Sequence, residues 1–109
     1  MSRPTAVIVC PGRGTYNKPE LGTLTRTHAG NPLIAQWDAL REAAGQETLT
    51  ALDRADRFSG ARHTTGDNAS PLIYACSYLD AQIATQSHDI CAVTGNSLGW
   101  YIALAADCG

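Results

Sequence analysis

Ile90-Cys91-Ala92-Val93-Thr94-Gly95-Asn96-Ser97-Leu98-Gly99 is the stretch on which the fold turns. Its first half is an apolar run of strand length, and the stretch that follows, Trp100 to Asp107, is alanine-rich and reads as a helix. Between them stands G-x-S-x-G, the sequence form of a nucleophile elbow. A strand that turns sharply into a helix strains the turn residue, so the residues two before and two after it must lack a colliding Cβ. Gly95 and Gly99 meet that demand. The turn lifts the Ser97 hydroxyl above the strand edge, where the free N–H groups of the helix's first turn favour negative charge. Ser97 is thereby the candidate nucleophile for attack on a carbonyl, and Gly95, Asn96 and Gly99 form its elbow.

Upstream, Ser70 caps an expected helix with Pro71 at its first position, and Leu72, Cys76, Leu79 and Ile83 mark one face. At the start of the chain, Thr5-Ala6-Val7-Ile8-Val9-Cys10 is a continuous apolar run, the pattern of a strand buried on both faces of a parallel sheet. Pro11-Gly12 ends it. The segment from there to Gly30, rich in Gly and Thr, reads as a long loop with room for a short turn of helix. Asn31 and Pro32 then open a helix with Leu33, Ile34, Trp37, Leu40 and Ala44 inward and Gly45 at its end. Thr48 to Arg54 reads as a second short helix, followed by a polar stretch from Ser59 to Asn68. The alternation of β and α elements predicts an α/β class with a parallel sheet.

Composition bounds the function. The chain has 109 residues, 44% of them hydrophobic, which suits a single small globular domain. A net charge of −2 supplies no basic field for nucleic acid or an anionic membrane surface. Apolar runs fall short of the roughly 20 residues of a spanning helix, so the expected setting is cytoplasmic, with no membrane partner. Cys10, Cys76, Cys91 and Cys108 form no C-x-x-C pair and stand in or beside apolar segments, as reduced buried thiols do; no metal site is expected.

Cys10-Pro11-Gly12-Arg13-Gly14-Thr15-Tyr16 is the second chemical feature. It follows a strand, so its backbone N–H groups fall at the carboxyl end of the sheet, where open α/β sheets bind ligands. It lacks the third glycine of a dinucleotide fingerprint, since position 17 is Asn17, and Lys18 is not framed as in a P-loop. Taken alone it reads as a strand-ending turn with a solvated Arg13; paired with a downstream elbow it becomes a candidate second half of an oxyanion hole.

The ordered pair, Cys-Pro-Gly-Arg-Gly near the start and Val93-Thr94-Gly95-Asn96-Ser97-Leu98-Gly99 later, resembles the N-terminal part of malonyl-CoA:acyl-carrier-protein transacylases and related acyltransferase domains. There the motifs are typically F-P-G-Q-G and G-H-S-x-G, and Ser70 to Ala75 is similar to the family's helix before the nucleophile strand. The resemblance runs over nearly all of the chain. It implies the N-terminal part of an α/β-hydrolase-like parallel sheet, hence a single, incomplete domain over residues 1–109. It further implies a seryl ester on Ser97, with the backbone N–H groups of Arg13 and Leu98 binding the oxyanion. Its substrates would be acyl thioesters of coenzyme A and of acyl carrier protein, with a malonyl-type acyl group and no cofactor beyond the thioester substrate itself.

Three features depart from the family pattern. Arg13 stands where Gln is usual, Asn96 stands where His is usual, and no histidine follows Ser97, although the family's general base lies downstream. His28 and His63 fall in polar loop stretches, and His88 precedes the nucleophile strand at the end of the sheet opposite Ser97; each reads more simply as a surface or turn histidine. Asp53, Asp56 and Asp67 read as helix-face and loop charges. Two further classes share the elbow: a serine esterase of α/β-hydrolase type, and a non-catalytic module that binds acyl thioesters or a partner without turnover.

Overall fold

The computed structural model describes residues 3–10, 14–95 and 102. Two strands, β1 (Thr5–Cys10) and β2 (Asp89–Gly95), pair in parallel, and five helices separate them in sequence. These are α1 (Thr23–Thr27), α2 (Pro32–Ala43), α3 (Leu49–Asp53), α4 (Gly60–His63) and α5 (Gly66–Ser87), with a 3-10 turn at Lys18–Glu20. The class is mixed α/β. No described helix is long and apolar enough to cross a membrane.

Parallel pairing dictates the layout. A chain that leaves β1 at its carboxyl end must travel back before β2 can run in the same direction, and only a crossover element can do that. α5 makes the return: at roughly 1.5 Å per residue its 22 residues span about 33 Å, longer than either strand. Arg3 fastens its far end. The Arg3 guanidinium donates to the carbonyls of Thr85 at 2.5 Å and His88 at 2.8 Å, occupying orphan acceptors of the helix C-terminus with a cation favoured by the dipole. Leu72, Ile73 and Leu79 of α5 pack with Cys10, Leu24, Leu52 and Ile102 into one core.

β2 carries one residue more than β1, and a bulge absorbs it. Ala6 pairs with Ile90 but Val7 pairs with Ala92, so Cys91 is left over and its thiol donates to the Ala6 carbonyl at 3.3 Å. The consequence is a change of phase. An unbulged ladder would set Ala92 beside Ile8 on the inner face; the observed one sets Val93 there, and both Ile8 and Val93 pack on the core. The other face departs from expectation: Val7 is 55% and Val9 69% exposed, so β1 is buried on one face only. A two-stranded sheet has a single described helix layer to lie on, whereas its uninterrupted apolar pattern suits a sheet covered on both sides.

α2 begins as its sequence dictates, with the Asn31 side chain accepting from the Leu33 amide at 3.0 Å and Pro32 in the first turn. Its inner stripe differs from expectation, because Leu40 is 70% exposed while Arg41 is buried. Ile34 and Arg41 are seven apart and share a face; Leu40 is rotated off it. The short helix expected from Thr48 to Arg54 is α3, capped by Thr48, which accepts from the Ala51 amide at 3.1 Å, and Asp38 of α2 adds an acceptor for the Leu49 amide at 2.8 Å.

The segment up to Gly30 carries the short helical turn expected of it, as the 3-10 turn and α1, which buries Leu24 completely. Two other expected boundaries are corrected. The polar 59–68 stretch is α4 plus the first turn of α5. α5 starts at Gly66, not after Ser70, so Pro71 lies inside the helix, and Ile83 is 48% exposed, not inward. Interior proline removes the N–H that would bond to the carbonyl four residues back, that of Asp67. The buried Arg41 supplies the missing donor: its Nη1 reaches the Asp67 carbonyl at 2.9 Å, its Nη2 the Asn68 side chain at 2.7 Å and its Nε the Glu47 carbonyl at 2.5 Å.

This compensation is testable in a double-mutant cycle read by urea unfolding. Arg41→Met should cost about 3 kcal/mol with Pro71 present, since the charge-assisted bonds of a buried guanidinium are lost. In the Pro71→Ala background, where the helix supplies its own donor, the same change should cost at least about 1 kcal/mol less. Strict additivity would contradict the assignment.

Candidate functional site

The register of the sheet sets the geometry. Cys10 pairs with Gly95, the last residue of each strand, so both strands end level and the chain leaves them at one edge. Adjacent strands lie roughly 4.8 Å apart. Gly95, the one elbow residue that is described, thus stands beside the end of β1. Arg13, Asn96, Ser97, Leu98 and Gly99 lie outside the described residues, as does Cys108. Ile102, five positions past Ser97, is fully buried in the same core as Cys10.

On the far side of the glycine loop the chain is firmly anchored. Gly14 has φ +85°, a left-handed conformation that glycine adopts freely, and Asn17 donates back to its carbonyl at 2.7 Å. Tyr16 is 3% exposed and its hydroxyl donates to Asp53 Oδ1 at 2.5 Å. Asp53 itself, expected as a helix-face or loop charge, lies on α3 and is wholly buried. Its carboxylate also accepts from the Leu24 amide at 3.2 Å, the Thr25 amide at 2.8 Å and the Thr25 hydroxyl at 2.8 Å. α1 needs this help, because Gly22 at its N-cap has no side chain to offer. One carboxylate on α3 therefore closes α1 and pins the end of the loop that follows β1.

None of the three histidines is presented at the carboxyl edge. His63 is fully buried, and both ring nitrogens are spent on backbone: Nδ1 accepts from the Ser59 amide at 3.0 Å and Nε2 donates to the Leu52 carbonyl at 2.8 Å. It joins α3 to α4 and stacks on Phe58. His28 is 6% exposed, with Nε2 at 2.7 Å from Asp80 Oδ1. Neither is the surface histidine that its polar neighbours imply. His88 caps the C-terminus of α5 immediately before Asp89, which pairs with Thr5, so it stands at the opposite end of the sheet from Gly95, as expected.

The His28–Asp80 pair joins residues 52 apart in sequence, which no local spacing reveals. Asp80 borders two depressions. One, of about 160 Å³, is walled by Tyr16, Glu20, Cys76 and Ser77; the other, of about 330 Å³, runs beside β1 along Val7, Val9, Cys10 and Ala81. In this pair the carboxylate faces solvent and the imidazole is buried, the reverse of what a general base needs to reach a serine.

The thiols are not rival nucleophiles within the core. Burial pushes the Cys76 thiol from its ordinary 9.0 up to about 12, with the carboxylates of Asp53 and Asp80 adding to the effect. Burial raises Cys10 as well. Cys91, expected to be buried, is exposed, because the bulge turns it off the ladder. Among the described residues no group of three His, Cys, Asp or Glu side chains is placed to hold a metal. No protein-family model, curated protein or solved structure matches the chain.

The raised thiol gives a stability prediction with a definite sign. A folded state that holds the Cys76 proton more tightly than the unfolded chain keeps that advantage below the ordinary thiol value of 9.0 and loses it as pH climbs toward about 12. The loss approaches 1.4 kcal/mol per pH unit at its steepest, roughly. Tyr16, raised by burial and its bond to Asp53, adds a similar loss higher on the scale. Urea midpoints at about pH 8 and about pH 10 should fall sharply in the native chain and much less in Cys76→Ala; equal falls would contradict the buried-thiol assignment.

Proposed function

We propose that the chain is an acyltransferase-like protein that takes an acyl group, of malonyl type, from coenzyme A onto Ser97 and passes it to acyl carrier protein. The observation that supports this most directly is the pairing of Cys10 with Gly95. A seryl acyl transfer needs the nucleophile and the second oxyanion donor on neighbouring strand ends, and the level parallel ends of β1 and β2 meet that requirement. In the proposed reaction Ser97 Oγ attacks the thioester carbonyl and forms a C–O bond, while the oxyanion accepts from the backbone N–H groups of Arg13 and Leu98. Collapse breaks the C–S bond, and the hydroxyl proton leaves with the coenzyme A thiol. The second half runs in reverse with a carrier-protein thiol as acceptor. The finer fold reading, an α/β-hydrolase-like sheet, belongs to this same proposal.

A binding role without turnover is favoured by one set of contacts. His63 is committed to backbone, His28 is buried against Asp80 and His88 stands at the wrong end of the sheet, so none of them serves as the base that Ser97 requires. On that reading an acyl thioester is held at the carboxyl edge and transfer is slow or absent.

Intact-mass analysis after incubation with malonyl-CoA separates the outcomes. The chain should gain one acyl group that survives neutral hydroxylamine as an ester, and Ser97→Ala should abolish it. An adduct that persists in Ser97→Ala, or that hydroxylamine removes as a thioester from the exposed Cys91, would refute the assignment. Thioester binding without an adduct would favour the non-catalytic reading.

Arg13 makes a separable prediction. A backbone donor tolerates side-chain change, so Arg13→Gln should hold the acylation rate at saturation within roughly tenfold. Loss of the guanidinium should instead raise KM for anionic donors, an effect that salt weakens. A large fall in kcat at unchanged KM would make the side chain part of the chemistry.

A further inference from the structure

Between α2, α3 and α5 lies a cavity of about 300 Å³ lined by Trp37, Leu40, Arg41, Gln46, Leu49, Pro71 and Tyr74. Its walls are apolar and held. The Trp37 ring meets Tyr74 edge-on at 6.1 Å and 76°, and Tyr78 at 6.3 Å and 79°, while the two tyrosines stack at 5.8 Å. Such contacts fix the rings before any ligand arrives. The volume falls at the small end of the range for small-molecule sites, room for a single ring or a short branched chain.

Of the cavity's two polar lining residues, Gln46 and Arg41, the second is unusual. Arg41 is 7% exposed, yet its hydrogen-bond partners are the neutral oxygens of Glu47, Asp67 and Asn68, not a carboxylate. The Glu47 carboxylate is turned to Arg62, which it meets at 2.5 Å. A guanidinium has five N–H donors in a rigid fork, and these three bonds leave one on each terminal nitrogen. Buried charges are ordinarily paired, because an uncompensated one is costly. The cavity thus combines ring-sized apolar walls with a preorganised cation that lacks an anion in hydrogen-bond contact among the described residues.

We infer that this cavity is a binding site for a small amphipathic carboxylate, with its ring or branched chain against Trp37, Tyr74 and Leu49 and its carboxylate on the Arg41 guanidinium. The charge of Arg41 disfavours a cationic ligand in the aromatic walls. A neutral ring would fill the space but leave the remaining N–H donors of the guanidinium without an acceptor. The site is independent of the acyl-transfer reading, since it stands on α2, α3 and α5 residues that take no part in it.

Phenylacetate and its neutral isostere phenylacetamide are the probes, titrated against the full chain with readout from the Trp37 indole N–H and the Tyr74 amide in two-dimensional NMR. Phenylacetate should bind with Kd of roughly 1 mM, the affinity its size allows, and the amide at least about tenfold more weakly. Because Arg41 also supports α5, the charge is varied at the exposed Leu40 instead. Leu40→Glu should weaken phenylacetate binding roughly threefold and Leu40→Lys strengthen it by a similar factor, both differences shrinking in salt. Equal affinity for acid and amide, shifts that map away from Trp37 and Tyr74, indifference to the Leu40 charge, or no binding up to the solubility limit would each overturn the inference.

Discussion

The parallel register of β1 and β2 is the constraint on which the rest depends, because two strands that run the same way cannot be neighbours without an element that carries the chain back between them. α5 is that element, and it must be long, buried on one side and closed at its far end by Arg3. Two strands alone are marginal in water. Their stability therefore comes from Ile8, Cys10 and Val93 packing on the core that α5 organises.

Most of the remaining helices are too short to stand alone. α1, α3 and α4 are a turn or slightly more, below the length at which an isolated helix persists. Side chains from other elements hold them: Asp53 closes α1, Asp38 closes α3, and His63 ties α4 to α3. Arg41 extends the same logic to α5, replacing the donor that Pro71 lacks. The buried polar side chains thus do much of the work that longer amphipathic helices do elsewhere, and among the described residues each is satisfied.

Features legible in the sequence were those set by neighbours along the chain. Asn31-Pro32 opens α2, Thr48 opens α3, and the apolar runs at Thr5–Cys10 and around Ile90–Thr94 are strands. What escaped was set by distant partners. Pro71 looks like a helix start because its missing N–H is harmless only there, unless a remote arginine compensates. Asp53 and His63 look exposed because their partners, Tyr16 and Leu52 among them, cannot be inferred from spacing. Arg41 was the exception: its seven-residue offset from Ile34 places it on the buried stripe, and only its charge argues otherwise. For the candidate site, the order of the two glycine motifs was visible in the sequence, whereas the level ending of their strands depends on a bulge at Cys91 that no motif announces.

That bulge is where the account can be tested most directly, since a ladder without it would set Gly95 one position past the end of β1. Cross-strand nuclear Overhauser contacts in the labelled chain report the register. The bulged register predicts contacts placing Ile8 beside Val93 and Cys10 beside Gly95 in a parallel arrangement, with Cys91 outside the ladder. Contacts that instead place Ile8 beside Ala92, or that show an antiparallel pattern, would contradict it and remove the shared edge from which the proposed chemistry is built.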